Sequence, residues 1–369
     1  QWMLKITAYA DRLLDDLEEL DWPESIKEMQ RNWIGRSTGV EVQFDIVGGG
    51  KFSIFTTCIE TIYGITFMVL APDGDLVQEL MPRIQNQEEV KAYIQETVSK
   101  SEMDRTELNK GKTGCRLEGI KAINPVNGRE VEVVIGDFVL ANYGTGAVMA
   151  VPSHDQRDFE YAIAHNIDRI QVIEGQDVSE HAFEKQDYLG KGCKLINSEE
   201  FTGLTVEEAK VAITKKLVDM GIAKETVNYR FREWIFARQR YWGEPVPIVH
   251  LEDGTDYVLP DEELPLILPE LEDYKGHNGK APLENAIEWK QYNQNGVKGV
   301  RETSTMPGSA GSSWYYLRYI DPHNDKQLAD PELIKHWMPV DLYVGGPEHA
   351  VGHLMYSRIW NNYLYDKGI

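Results

Sequence analysis

The run Gly144-Thr145-Gly146-Ala147-Val148-Met149-Ala150-Val151-Pro152-Ser153-His154-Asp155-Gln156-Arg157-Asp158 leaves the backbone few options. Two glycines one residue apart read as a tight turn, because glycine alone enters left-handed backbone at little cost. The apolar stretch Ala147–Val151 then reads as a buried strand. Pro152 ends it by removing an amide hydrogen from the ladder. Ser153 is the predicted N-cap of a helix, with Gln156 completing a capping box. Asp155 and Asp158 then lie on one face of the first turn, where the helix dipole favours their ionised forms. Two carboxylates and His154 at a strand-to-helix junction make a candidate site. The plain alternative is that both aspartates only complement the dipole, and the spacing leaves both readings open.

The hydrophobic period on either side of this run sorts the rest of the chain. Met3, Ile6, Tyr9, Leu13, Leu17 and Leu20 recur at helical spacing, and Pro23 opens a second helix running to about Trp33. From Val40 the period drops to two. Val40, Val42, Phe44 and Ile46 alternate with polar residues up to Gly48-Gly49-Gly50, and Phe52, Ile54 and Thr56 follow, which predicts a hairpin. Ile65–Ala71 reads as a continuous apolar strand, Gln87–Lys100 as a helix, and Leu117–Ile123 with Val131–Ile135 as a second hairpin. Val206–Gly221 is a further helix. Beyond Phe231 the texture changes to an Arg- and Trp-rich stretch, then acidic loops with short strands over 251–300, and helices at Ser312–Tyr319 and Ala350–Asp366. Asp341–Gly345 is predicted as a short strand. The expected organisation is a β-rich module over 38–230 between pieces of another domain, 1–37 and 231–369.

At 369 residues the chain is long for one domain. Cys58, Cys115 and Cys193 are far apart and odd in number, so they support neither a zinc site nor a disulfide framework. Three free thiols fit a reducing compartment, and a cytoplasmic protein is the expectation. No apolar run has the length of a membrane span, and no signal peptide is legible. The termini read as those of an excised piece. The net charge of −22 runs against the basic balance usual for nucleic-acid proteins, so any contact with RNA has to rest on local basic groups.

Phe55-Thr56-Thr57-Cys58-Ile59-Glu60-Thr61 places three threonines on a short loop at a strand end, and β-propensity alone would also explain them. Gly345-Gly346-Pro347-Glu348-His349-Ala350-Val351-Gly352-His353 places two histidines four apart, which predicts that they share one helix face. The zincin pattern needs Glu directly after the first histidine, and Ala350 stands there, so no metal is expected. Arg238-Gln239-Arg240-Tyr241-Trp242 suits phosphate contact or base stacking, and equally a packing and salt-bridge cluster at a domain junction. Neither GxxxxGK[ST] nor GxSxG occurs, which excludes two common nucleotide and hydrolase readings.

Gly144–Ala162 resembles the signature of the editing insertion of bacterial-type, class I leucyl-tRNA synthetases, and Thr56–Thr61 resembles its threonine-rich loop. Asn32–Ser37 is similar to the strand entering that insertion and Ala237–Gly243 to the segment leaving it. Ser312–Tyr319 and Asp341–His353 resemble parts of the synthetic core. The resemblance spans nearly the whole chain in order. It implies an α/β fold in which a mixed, β-barrel-like editing domain with flanking helices is inserted into fragments of a Rossmann-type catalytic domain. Valyl and isoleucyl relatives share the glycine turn and the acidic helix, but Met149–Pro152 and Gln156-Arg157 fit the leucyl pattern better. The HIGH and KMSKS motifs do not occur in these residues, and the expectation is a fragment that does not activate leucine.

The same resemblance implies chemistry. A pocket separates substrates differing by one methylene by only about 1–3 kcal/mol, so a second site is needed to hydrolyse mischarged product. The implied substrate is tRNA(Leu) esterified at its acceptor end with norvaline, isoleucine or a methionine-like residue. Asp158 is implied to bind the α-ammonium, with Asp155 and His154 beside it. Thr61 is implied to obstruct leucine, Thr56 and Thr57 to position the ester or its oxyanion, and Tyr143 and Met149 to line the side-chain and adenosine region. Tyr343, Gly345, Gly346, Glu348, His349 and His353 are implied to form part of a synthetic leucine pocket. The fragment is expected to be a monomer without cofactor, while the longer enzyme would take leucine, ATP and magnesium. One departure stands out: Cys58, Ile59 and Glu60 occupy positions where the family loop has Arg, Pro and Asp. An editing-impaired module that only docks tRNA is the alternative this motivates.

Overall fold

A computed structural model describes residues 2–100, 105, 113–141, 144–276 and 279–369. The chain divides into two compact units, one formed by Gln1–Arg36 with Tyr229–Ile369 and the other by Ser37–Asn228.

The first unit is built from both ends of the chain. Strand β1 (Met3–Leu4) precedes helices at Ala10–Glu19 and Glu24–Ile34. The helical spacing read from the sequence is seen in Leu13 and Leu17, both fully buried. Ile6, Leu13 and Ile34 pack with Phe231, Trp234, Met355 and Ile359, so residues more than 300 positions apart share one core. The second helix ends where Gly35 adopts left-handed backbone (φ 58°) and caps it onto the Arg31 carbonyl. A Cβ there would lie 2.5 Å from that of Arg230, so the exit needs glycine for both conformation and space. Of the segment expected to be an entering strand, Asn32–Ile34 is therefore helix end, and the strand starts at Ser37.

The second unit carries a seven-stranded sheet. Its strands are β2 (Ser37–Ile46), β3 (Lys51–Thr56), β4 (Phe67–Leu70), β5 (Gly114–Ile123), β6 (Glu130–Gly136), β7 (Ala147–Ala150) and β8 (Ala223–Asn228), in the order β3-β2-β5-β6-β4-β7, with β8 also on β2. The β2–β3 hairpin aligns Val40 with Thr56 and Phe44 with Phe52. Strand β4 runs parallel to β6 and antiparallel to β7, so the sheet is mixed. Ser37 and Asn228 pair at the mouth of the unit, where the chain enters and leaves side by side. Strands β3 and β7 both reach one cavity, yet among the described residues no backbone pairing joins them, and the barrel-like sheet stays open.

Strand β4 explains its own sequence. Met68 and Leu70 enter the large core with Ile54, Ile62 and Ile135, while Phe67 and Val69 enter a smaller core with Val134, Tyr161 and Ala162. A strand covered on both faces reads as an uninterrupted apolar run rather than an alternation. The smaller core seats the helix Gln156–Ala164, whose Tyr161 ring lies 5.2 Å from that of Phe67.

In the first unit, β9 (Trp234–Ile235) pairs with β1. Strands β10 (Ile248–Leu251), β11 (Asp256–Val258), β12 (Gln291–Gln294) and β13 (Val297–Arg301) form an antiparallel sheet ordered β11-β10-β13-β12. The strand expected at Asp341–Gly345 does not form. Leu342 and Val344 are 80% and 85% exposed, and apolar residues that meet no neighbouring strand gain nothing from extended pairing.

Gly39 couples the fold to the cavity. A Cβ at this position of β2 would lie 2.4 Å from the Thr56 carbonyl oxygen and 2.7 Å from the Phe55 ring. Gly39→Ala is expected to push β3 aside and destabilise the unit by about 1–3 kcal/mol. Urea unfolding of the two proteins checks this; an unchanged midpoint would show that β3 yields freely.

Candidate functional site

The turn that opens the site follows the sequence. Gly144 and Gly146 have φ of 63° and 67°, and the Gly146 carbonyl accepts a hydrogen bond from the Ala71 amide at the end of β4. Strand β7 then runs to Ala150. The chain closes a turn in which His154 N and Asp155 N both donate to Val151 O, at 2.8 and 3.0 Å. This turn delays the helix by two residues. The N-cap is Asp155, not Ser153: its Oδ1 accepts from Arg157 N and Asp158 N, each at 3.0 Å. Gln156 does not close a capping box, because its Oε1 accepts from Ala182 N at 2.9 Å.

Asp158 is buried, and its Oδ2 accepts from Val151 N at 2.9 Å. The carboxylate therefore ties the first turn of the helix to the strand end and also lines a cavity of about 280 Å³. Phe55, Thr56, Cys58 and Thr61 form the opposing wall, and Val148, Met149 and Val151 add an apolar side. The threonine loop and the acidic helix, nearly a hundred residues apart in sequence, thus share one site.

Hydroxyl geometry separates the threonines. Thr56 Oγ1 accepts from Cys58 N at 3.0 Å, which leaves its own hydrogen to donate. Thr61 Oγ1 donates to Cys58 O at 2.8 Å, which leaves its lone pairs to accept. Thr57 does not line the cavity; its hydroxyl accepts from Lys185 Nζ at 3.4 Å and its carbonyl from Lys210 Nζ at 2.8 Å.

His154 lines the cavity with its ring rather than with a nitrogen. Nδ1 donates to Phe183 O at 3.0 Å, and Nε2 accepts from Val172 N at 3.0 Å. The valine amide can only donate, so the ring is neutral, and burial lowers its pKa to about 4. It is no proton acceptor for a substrate. Glu60 is also buried; Tyr188 Oη donates to its Oε1 at 3.1 Å, and desolvation raises its pKa. Tyr143 lies outside the described residues. Glu184, Lys185, Gln186 and Tyr188 complete the lining and had no motif to announce them. They come from a short helix, Lys185–Tyr188, and the residue that precedes it, in a stretch whose periodicity is weak.

The model of the leucyl-tRNA synthetase editing domain matches residues 31–218, just over half the chain. The structure is also similar to the leucyl-tRNA synthetase AgnB2 of Agrobacterium radiobacter K84, solved as a ternary complex with tRNA and LeuAMS, with 33% identity and a TM-score of 0.82 over the whole of this chain.

The chain belongs to the leucyl-tRNA synthetase family.

It spans 42% of the length of the Agrobacterium protein it matches. The cavity lies inside the stretch matched by the editing-domain model, and the unit Ser37–Asn228 is accordingly a synthetase editing module of mixed α/β fold. A second cluster of sequence-selected residues gathers in the other unit. Tyr343 Oη shares a 2.6 Å hydrogen bond with His353 Nε2 and another with Tyr315 Oη. The Glu348 carboxylate folds back over Gly346, where a Cβ would collide with it, and a Cβ on Gly345 would lie 3.9 Å from the His349 ring. His349 and His353 do not share a helix: His349 ends the 3-10 turn Pro347–His349, and His353 begins the helix His353–Asp366. Glycine at 352, at the junction, interrupts the pattern that reads as one helix. Among the described residues no three His, Cys, Asp or Glu side chains gather to hold a metal. Nor is any helix there long and apolar enough to cross a membrane.

Proposed function

We propose that the cavity hydrolyses the ester joining a non-cognate amino acid to the terminal adenosine of tRNA(Leu). The observation that carries this reading is the buried carboxylate of Asp158 facing Thr56 and Thr61 across a cavity that is half apolar. Asp158 binds the α-ammonium by a charge-assisted hydrogen bond. The amino-acid side chain lies against Met149 and Val151. The Thr56 hydroxyl donates to the carbonyl oxygen as negative charge develops there, and the Thr61 side chain occupies the space that the branch of leucine would need. Water adds to the carbonyl carbon, the bond to the ribose oxygen breaks, and that oxygen takes the proton. His154 cannot act as general base, so the water is positioned by the neighbouring ribose hydroxyl. The amino acids removed are norvaline, isoleucine and methionine-like residues, and leucine attachment with ATP and magnesium belongs to the longer enzyme.

Incubation with norvalyl-tRNA(Leu) and leucyl-tRNA(Leu) tests the reading: norvaline should be released and leucine retained. Release of neither would sink it and favour a module that only docks tRNA. Thr61→Ala should admit leucine, raising leucyl-tRNA(Leu) hydrolysis about tenfold or more, since one methylene in a pocket is worth roughly 1–3 kcal/mol.

A further inference from the structure

The proposed ligand carries charges of opposite sign. An aminoacylated RNA end brings an ammonium and, one ribose away, the phosphodiester of its terminal nucleotide. The cavity offers Asp155, Asp158 and Glu184 to the first. The same carboxylates repel the second, and the neutral His154 does nothing to offset them. The threonine loop brings no cation, because Cys58 stands in it where the resembling motif has arginine.

Two lysines reach that loop from elsewhere in the chain. Lys210 Nζ bonds the Thr57 carbonyl at 2.8 Å and holds the loop in place. Lys185 Nζ makes only a long 3.4 Å contact with Thr57 Oγ1, and its charge acts at a distance on the buried Glu60 carboxylate, whose pKa it lowers slightly against the rise from burial. Lys185 is also the one cationic side chain among the described residues that line the cavity. Its stem is half buried, which limits the entropy lost when its ammonium engages a ligand. We infer that Lys185 is a substrate-binding residue that takes the phosphodiester of the terminal adenosine, supplying across the cavity the positive charge that Cys58 does not. The inference rests on the editing reading and adds to it the group that admits a polyanion into an acidic pocket.

The test compares two substrates, norvalyl-tRNA(Leu) and norvalyl-adenosine, the second having no phosphate. Lys185→Gln keeps much of the stem and removes the charge. It should raise KM for norvalyl-tRNA(Leu) about tenfold or more, the usual effect of losing a hydrogen bond to a charged group. Its kcat should stay within about twofold, and its salt dependence should weaken by about one phosphate contact. Norvalyl-adenosine hydrolysis should be unchanged, Lys185→Arg should restore most of the affinity, and Lys191→Gln, at an exposed lysine outside the cavity lining, should behave as the parent. An unchanged KM for the tRNA substrate in Lys185→Gln overturns the inference. So does an equal loss on both substrates, which would make Lys185 a loop-positioning residue only. Absence of hydrolysis of both substrates by the parent chain would instead fail the editing reading itself.

Discussion

Asp158→Asn should hydrolyse norvalyl-tRNA(Leu) at least about a hundredfold more slowly than the parent while unfolding at nearly the same urea concentration. The carboxylate has two jobs that this substitution separates. One oxygen accepts from the buried Val151 amide at 2.9 Å, and an asparagine carbonyl can do the same. What asparagine cannot do is bring a negative charge to the substrate ammonium. Hydrogen bonds to charged groups contribute about 1.5–3 kcal/mol, and more where water is excluded and the donor also orients the reacting ester. Asp158→Ala should lose the same activity and, in addition, about 1–3 kcal/mol of stability, because the Val151 amide is left without its acceptor. Deacylation assays and unfolding curves on the two variants decide. Asparagine at near-parental rate would reduce Asp158 to a structural tie between strand and helix.

How much of this was legible beforehand depends on the range of the interaction. The strands Val40–Thr56 and Ala147–Ala150 and the glycine turn follow from local rules, because alternation and positive φ are properties of neighbouring residues. The cap was misread by two residues. Serine is as good a cap as aspartate in isolation, and only the closure of His154 and Asp155 onto Val151 O shows where the helix begins. His154 looks like a reactive group in the sequence. Its commitments, Phe183 O and Val172 N, lie 29 and 18 residues downstream, and no spacing rule reaches them. Likewise, Lys185 becomes visible only when the short helix Lys185–Tyr188 is folded against the threonine loop. Family resemblance pointed to the two walls of the cavity, whereas the third, from Glu184 to Tyr188, came from the structure alone.

Stability of the editing unit should fall as the pH drops from about 6.5 towards about 4, and much of that slope should vanish in His154→Gln. The folded imidazole is neutral, with its pKa lowered from 6.5 to about 4, chiefly by burial. The unfolded chain holds the same ring at its ordinary value. Between those two values the unfolded state binds more protons, so acid favours unfolding; above 6.5 both states are deprotonated and the contribution is constant. The shift corresponds to roughly 3 kcal/mol across the window. Glu60 works in the opposite sense, since its raised pKa lets the folded state bind the proton first. The difference between parent and His154→Gln at each pH isolates the histidine from Glu60 and from the other carboxylates, even though glutamine lowers the midpoint throughout. Urea titrations at a series of pH values measure it, and parallel curves for the two proteins would show that the ring is not held neutral. Because an imidazolium cannot accept the Val172 amide, protonation also loosens the packing that carries Phe183 and, directly after it, Lys185 and Tyr188. Deacylation should therefore decline in the same acid window in which the unit loses stability, and His154→Gln should shift the two together.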